Sequence, residues 1–201
     1  MFLKNLSFYH LGLIWSIGTF QENRFIFRHK DRYFLEQIQQ YVNNSIYKQQ
    51  SRTGDQYVLK TKDFYMNQLI EYGWTERNAD ERNVPILPDY KDFLRAYMEL
   101  HSTLSYQTSY DKRNGNKKYY RLRIRIFGNK ILLESINKIL TDTIHISLKT
   151  LQKTNNDKTF YTQYTSLTDI KKIFNYITGE PHNKMFWDNV DIHVQNPRKY
   201  L

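Results

Sequence analysis

Hydrophobic positions along the 201-residue chain fall into two successive runs with the same order of elements. In residues 6–17, Leu6, Tyr9, Leu13 and Ile17 recur at spacings of three and four. That is the period of a helix with an apolar stripe, and Gly18 ends it. Residues 20–30 alternate instead, as a strand does, with Arg24, Ile26 and Arg28 on one side and Phe25, Phe27 and His29 on the other. Two strands, or one bent strand, fit this stretch. Asp31 is placed to cap a helix reaching about Asn43, with Phe34, Leu35, Ile38, Tyr41 and Val42 as its apolar face. Residues 45–50 and 56–62 flank a Gly-containing turn and read as a hairpin. Asp63 caps a further helix over 64–72 that stops at Gly73.

Residues 74–89 are polar and carry Pro85 and Pro88, which cannot continue a helix, so they read as a linker. The pattern then repeats. A helix over 90–102 leads into a hairpin of 103–110 with 118–127, turned at Asn114-Gly115. A helix over 131–140 carries Ile131, Leu132, Ser135, Ile136 and Ile139 on its inner stripe. Residues 145–151 and 159–164 make another hairpin, and Thr168 or Asp169 caps a helix running to about Ile177. The tail from His182 reads as an irregular or helical appendage. The expectation is an α/β (α+β) protein of two pseudo-symmetric αββαββα halves. The N-terminal half is 1–73, the linker 74–89, the C-terminal half 90–180 and the tail 181–201.

The two helices that open the runs share more than a period. Gly12 and Gly18 in the first stand at a common offset of 84 residues from Ala96 and Ser102 in the second (12 to 96, 18 to 102). Small side chains at those points let two helix backbones approach closely, so Gly12, Gly18, Ala96 and Ser102 are the expected helix interface. Gly12-Leu13-Ile14, Gly18-Thr19-Phe20 and Phe93-Leu94-Arg95-Ala96-Tyr97 resemble the two motif copies of the single-chain LAGLIDADG homing endonucleases. With the element order, the resemblance covers roughly residues 5–178. It implies two four-stranded sheets forming a DNA-binding saddle, and an acidic residue ending each motif helix to hold catalytic metal. Those two positions here are Ile17 and His101, and neither is a carboxylate. Aliphatic Ile17 has no ligand atom, and the His101 nitrogen is a poor match for Mg²⁺, which takes oxygen ligands.

The formal net charge of +10 and the pI near 9.5 point to an anionic partner. The most concentrated source is the run 121–126, where Arg121, Arg123 and Arg125 alternate with Leu122, Ile124 and Ile126. Period-two alternation puts the three guanidiniums on one face, about 7 Å apart by the strand rise. Arg24, Arg28, Lys60, Lys62, Lys149 and Lys153 lie on other expected strands and complete the candidate DNA-binding set. The 17 tyrosines include Tyr47, Tyr57, Tyr119 and Tyr161, which either touch nucleic acid or pack on the next strand.

Other classes find little support. There is no cysteine, which excludes disulfides and thiolate metal sites. No Gly-rich phosphate loop or nucleophile motif occurs, and His10, His29, His145, His182 and His193 show no ligand spacing. No stretch approaches the roughly 20 apolar residues of a membrane span, and the first 20 residues end without a signal-peptide cleavage pattern. The expectation is therefore a cytoplasmic, nucleoid-associated monomer that reads double-stranded DNA without cutting it, a regulator of transcription or of a mobile element. It needs no cofactor and no metal. One alternative is a Mg²⁺-dependent endonuclease or nickase using displaced acids, Glu22 or Glu99. Others are an RNA-binding intron maturase and a protein that meets an acidic partner protein.

Overall fold

The computed structural model describes residues 6–51, 54–62, 65–76, 79–155, 158–195 and 198–200, the last as backbone only. The chain forms two compact units, Met1–Leu100 and His101–Leu201.

In the first unit, α1 (Phe8–Ile17) is capped by the Ser7 side chain, which accepts from the His10 amide. The stripe expected from Leu6, Tyr9, Leu13 and Ile17 understates its burial. Every residue of α1 after Phe8 is buried, Trp15 included, because a helix apolar on all sides must be covered all round. Of the two readings of the next segment, two strands or one bent strand, the structure has the two strands, joined as a hairpin. Glu22 and Asn23 both take positive φ (51° and 59°), the two-residue turn whose twist matches antiparallel strands, and they separate β1 (Gly18–Gln21) from β2 (Arg24–His29). Helix α2 (Tyr33–Gln39) stops before the expected Asn43. Asp31 accepts from the Tyr33 amide but lies one residue outside the cap position, Arg32.

Strands β3 (Tyr47–Ser51) and β4 (Gly54–Thr61) complete an antiparallel sheet in the order β1-β2-β4-β3. Phe25, Phe27 and Leu59 line its inner face. Helix α3 (Met66–Glu71) follows, and its expected cap Asp63 lies outside the described residues. The 74–89 segment has no helix or strand among its described residues, as its prolines require, yet it is not a solvated tether. Arg82, Val84 and Leu87 are buried. Trp15 Nε1 donates to the Asn83 carbonyl at 2.9 Å. Helix α4 (Lys91–His101) then buries Phe93 through Glu99.

The second unit is built on β5 (Ser102–Asp111) and β6 (Lys117–Gly128), the long hairpin that the Asn-Gly turn anticipated. Helix α5 (Lys130–Ile144) runs four residues beyond the expected end, to His145 in a left-handed conformation (φ 53°). This removes the expected strand over 145–151. The Asn137 side chain instead takes the backbone of Lys149, donating to its carbonyl at 2.5 Å and accepting from its amide at 3.2 Å. Only Gln152–Lys153 (β7) pairs with β8 (Phe160–Tyr164), and the order is β5-β6-β8-β7. Ser166, not Thr168 or Asp169, caps α6 (Leu167–Ile177). The tail is ordered: α7 (Lys184–Gln195) sets His193 Nδ1 3.0 Å from the Tyr106 hydroxyl, and β9 (Arg198–Tyr200) pairs with β6 at residues 119–121.

Candidate nucleic-acid interface

Register decides which side chains share a face, since paired residues of antiparallel strands point the same way. On β6, Leu122, Ile124 and Ile126 are buried, and they define the inner face. Tyr119, Arg121, Arg123 and Arg125 have the opposite parity. Beside them stand Gln107, Ser105 and Thr103 of β5, the register partners of Arg121, Arg123 and Arg125, and Gln163 of β8, the partner of Arg125. The outer face of this sheet is therefore a row of guanidiniums set among neutral hydrogen-bonding groups.

The row is organised by direct contacts. Arg123 Nε donates to Ser105 Oγ and Arg125 Nε to Gln163 Oε1, each at 2.8 Å. Gln163 Nε2 donates in turn to Gln107 Oε1 at 3.2 Å. The Arg125 guanidinium lies 4.7 Å from the Tyr161 ring centroid, and Arg121 donates to the Tyr119 hydroxyl at 3.1 Å. Tyr161 itself donates to Gln152 Oε1. Sequence reasoning did not single out Ser105, Gln107 and Gln163, because only the register shows that they stand next to arginines. Among the described residues no carboxylate pairs with Arg121, Arg123 or Arg125. Burial first, and then the neighbouring Arg125 charge, press the Arg123 pKa downward.

The first unit's sheet also has an outer face. Arg24, Arg28 and Lys60 share one parity with Ile26, Val58 and Tyr47. Lys60 Nζ stands 5.8 Å from the Tyr47 ring centroid. This face interleaves its cations with apolar side chains, since Ile26 and Val58 are buried between them. Lys62 is exposed one residue beyond β4.

Two expected members stand elsewhere. Lys149 is not on a strand; its ammonium lies 3.4 Å from Asp169 and 5.6 Å from the ring centroid of Tyr164, an inner-face residue. The extension of α5 and the Asn137 anchor carry it to the helix side of the sheet. Lys153 pairs with Phe160, the parity opposite to the arginines, while Gln152 takes the place beside Tyr161.

The small residues of the expected helix interface divide. A Cβ at Gly12 would lie 2.6 Å from the Phe93 carbonyl oxygen and 2.8 Å from Ala96 Cβ, so α1 and α4 meet there backbone to backbone. A Cβ at Gly18 would instead meet the Ile14 carbonyl of its own helix at 2.6 Å and the Phe27 ring at 3.1 Å. Ser102 begins β5 opposite Ile126.

At the helix ends, Ile17 is buried and offers no donor atom, and His101 is half-buried at the close of α4. Among the described residues no group of three or more His, Asp or Glu is arranged to hold a metal ion. The two displaced acids do not supply one either. Glu22 lies exposed in the β1–β2 turn, and Glu99 is buried, accepting from the Tyr9 hydroxyl at 2.7 Å. The donor set at these positions does not fit Mg²⁺.

No protein-family model matches the chain, and no curated protein sequence does. Solved structures match it over nearly their whole length. The meganuclease I-SmaMI, bound to uncleaveable DNA, is similar with a TM-score of 0.66 at 9% identity, over 96% of this chain and 91% of that one. The LAGLIDADG meganuclease I-AabMI, bound to uncleaved DNA, gives 0.65 at 14% identity over 95% and 92%. The I-LtrWI LAGLIDADG homing endonuclease, bound to target DNA, gives 0.64 at 12% identity over 94% and 89%. Among the described residues, no helix is long and apolar enough to cross a membrane. At such identities the likeness is one of architecture, and it spans both units: this chain has the LAGLIDADG homing-endonuclease fold, with both repeats on one polypeptide.

Proposed function

We propose that the protein binds double-stranded DNA in a sequence-dependent way without cleaving it, and acts as a regulator of transcription or of a mobile element. The observation that carries the reading is the outer face of β6, where Arg121, Arg123 and Arg125 stand in register without an acidic partner among the described residues. The three neighbours named above were solved on DNA, and they share this fold. Lys60, Arg24 and Arg28 supply the corresponding charge on the first sheet. Backbone neutralisation by such side chains releases counterions, which makes affinity fall steeply with salt.

The non-cutting half of the reading rests on Ile17 and His101, which lack the oxygen donors that Mg²⁺ requires. Glu99 is buried and engaged by Tyr9, and Glu22 is exposed in the β1–β2 turn, which supports reading neither as a catalytic acid.

The test is capture of fragments from the source DNA in the presence of Mg²⁺, followed by end-mapping of what is recovered. Intact fragments enriched for one sequence support the reading. Breaks at a fixed offset from that sequence would overturn the non-cutting half. Replacing Arg121, Arg123 and Arg125 together with alanine should lower affinity at least 100-fold, on the order of 1–3 kcal/mol for each contact. Unchanged affinity and salt slope would overturn DNA binding by this face.

A further inference from the structure

Resting on the DNA-binding reading, we infer that Arg123 and Arg125 read guanines, that Ser105 and the Gln163–Gln107 pair are their positioning residues, and that base discrimination is concentrated on the second unit's sheet.

The chemistry lies in which nitrogens are already engaged. Arg123 and Arg125 each spend Nε on a fixed neighbour, at 2.8 Å to Ser105 Oγ and 2.8 Å to Gln163 Oε1. What remains is the terminal pair of NH₂ groups, a planar fork that matches O6 and N7 of guanine in the major groove. Both anchors are neutral, so the guanidiniums are oriented without being discharged. A carboxylate in either place would have taken the fork itself. The amide of Gln163 has its own orientation set, because its NH₂ group donates to Gln107. The Tyr161 ring beneath Arg125 adds a second constraint on the guanidinium plane. Side chains ordered before binding lose less freedom when the ligand arrives, which favours the one geometry that fits.

The first unit's sheet lacks this arrangement. Among the described residues, Arg24 Nε is buried without a hydrogen-bond partner, and the Arg28 side chain makes no hydrogen bond or ion pair. Lys60 is a point charge without a fork. Arg24 and Arg28 carry the same fork, but with no described hydrogen bond to fix its plane they must be ordered on binding, which weakens the preference for one base. Arg123 and Arg125 are two residues apart, about 7 Å along the strand, or roughly two base-pair steps. The two guanines should therefore be separated by one intervening base pair.

The experiment is selection of bound duplexes from a randomised pool by the full-length chain, at two salt concentrations, repeated with Gln163→Leu, Ser105→Ala and Arg125→Lys. The expected result is two positions enriched for guanine, each by roughly 5- to 150-fold over other bases. Gln163→Leu and Arg125→Lys should flatten one of these positions and Ser105→Ala the other. The salt slope with Gln163→Leu and Ser105→Ala should stay that of the parent, which a merely structural loss would not produce. Salt-dependent binding with no guanine preference, or a preference indifferent to all three variants, overturns this inference and leaves DNA binding standing. No duplex binding at all overturns both.

Discussion

Gly12 on α1 faces Ala96 on α4 so closely that a methyl group at position 12 would sit 2.8 Å from Ala96 Cβ and 2.6 Å from the Phe93 carbonyl oxygen. The second neighbour is backbone and cannot swing aside. Gly12→Ala should therefore push the helices apart and destabilise the protein by about 1–3 kcal/mol, the usual cost of overpacking a core. Urea unfolding checks this. A variant as stable as the parent would mean that the seam yields.

The buried imidazole of His10 sets a pH dependence. Its Nε2 accepts from Gln40 Nε2 at 2.7 Å, leaving Nδ1–H to face Ser7 Oγ at 2.6 Å. A second proton on Nε2 would oppose the Gln40 amide group, and burial pushes the pKa from 6.5 down to about 4. Between those values the unfolded chain binds a proton that the folded one refuses. Stability is then complete above about pH 6.5 and falls as the pH drops towards 4, by up to about 3 kcal/mol. Unfolding measured from pH 7 to 4 should show this slope, and His10→Gln should flatten it.

Lys149 gives a sharp test of where the proposed DNA-facing surface lies. It is paired with Asp169 on the helix side of the second sheet, away from the parity of the arginines. Lys149→Ala should leave DNA affinity and its salt slope close to the parent's and cost at most about 1 kcal/mol of stability. A slope reduced by about one unit would place Lys149 on a phosphate after all.

Glu99 separates a structural acid from a catalytic one. It is buried and accepts a 2.7 Å hydrogen bond from Tyr9, whose own hydroxyl pKa is raised by burial and by the Glu99 charge. Tyr9→Phe removes a donor from a buried carboxylate and should destabilise by about 1–3 kcal/mol. Supercoiled plasmid carrying the selected site should stay unbroken in Mg²⁺ with the parent and with Glu99→Gln alike. Nicking by the parent that Glu99→Gln abolishes would reinstate the acid as catalytic.

The legible parts of this molecule were those written in local pattern. Period-two alternation placed Arg121, Arg123 and Arg125 on one side of a strand, and Asn114-Gly115 marked the turn of its hairpin. Small residues at positions 12 and 96 marked a close approach of two helices, because the space for a side chain is a property that sequence can state directly. The helix at residues 8–17 was visible too, although its burial on every side was not. A stripe shows which face must be covered and is silent about the rest.

What the pattern could not decide was every matter of register and of competition between elements. Residues 145–151 alternate well enough for a strand, but α5 runs through Ile144 and Asn137 captures the Lys149 backbone, so the segment never reaches the sheet. Lys153 falls on the inner parity because its register partner on β8 is Phe160, not Tyr161. The anchors are ordinary polar residues far from the groups they hold, Ser105 18 positions from Arg123, Gln163 38 from Arg125 and Gln107 56 from Gln163, and only strand pairing brings them together. Sequence by itself determined the net charge, the repeated order of elements, the side chains at Ile17 and His101, and the alternation of the arginines, all properties that composition and local pattern state without reference to a distant segment. Tertiary structure alone decided which groups stand next to one another across strands, because hydrogen-bond register is a relation between distant segments that neither segment encodes alone.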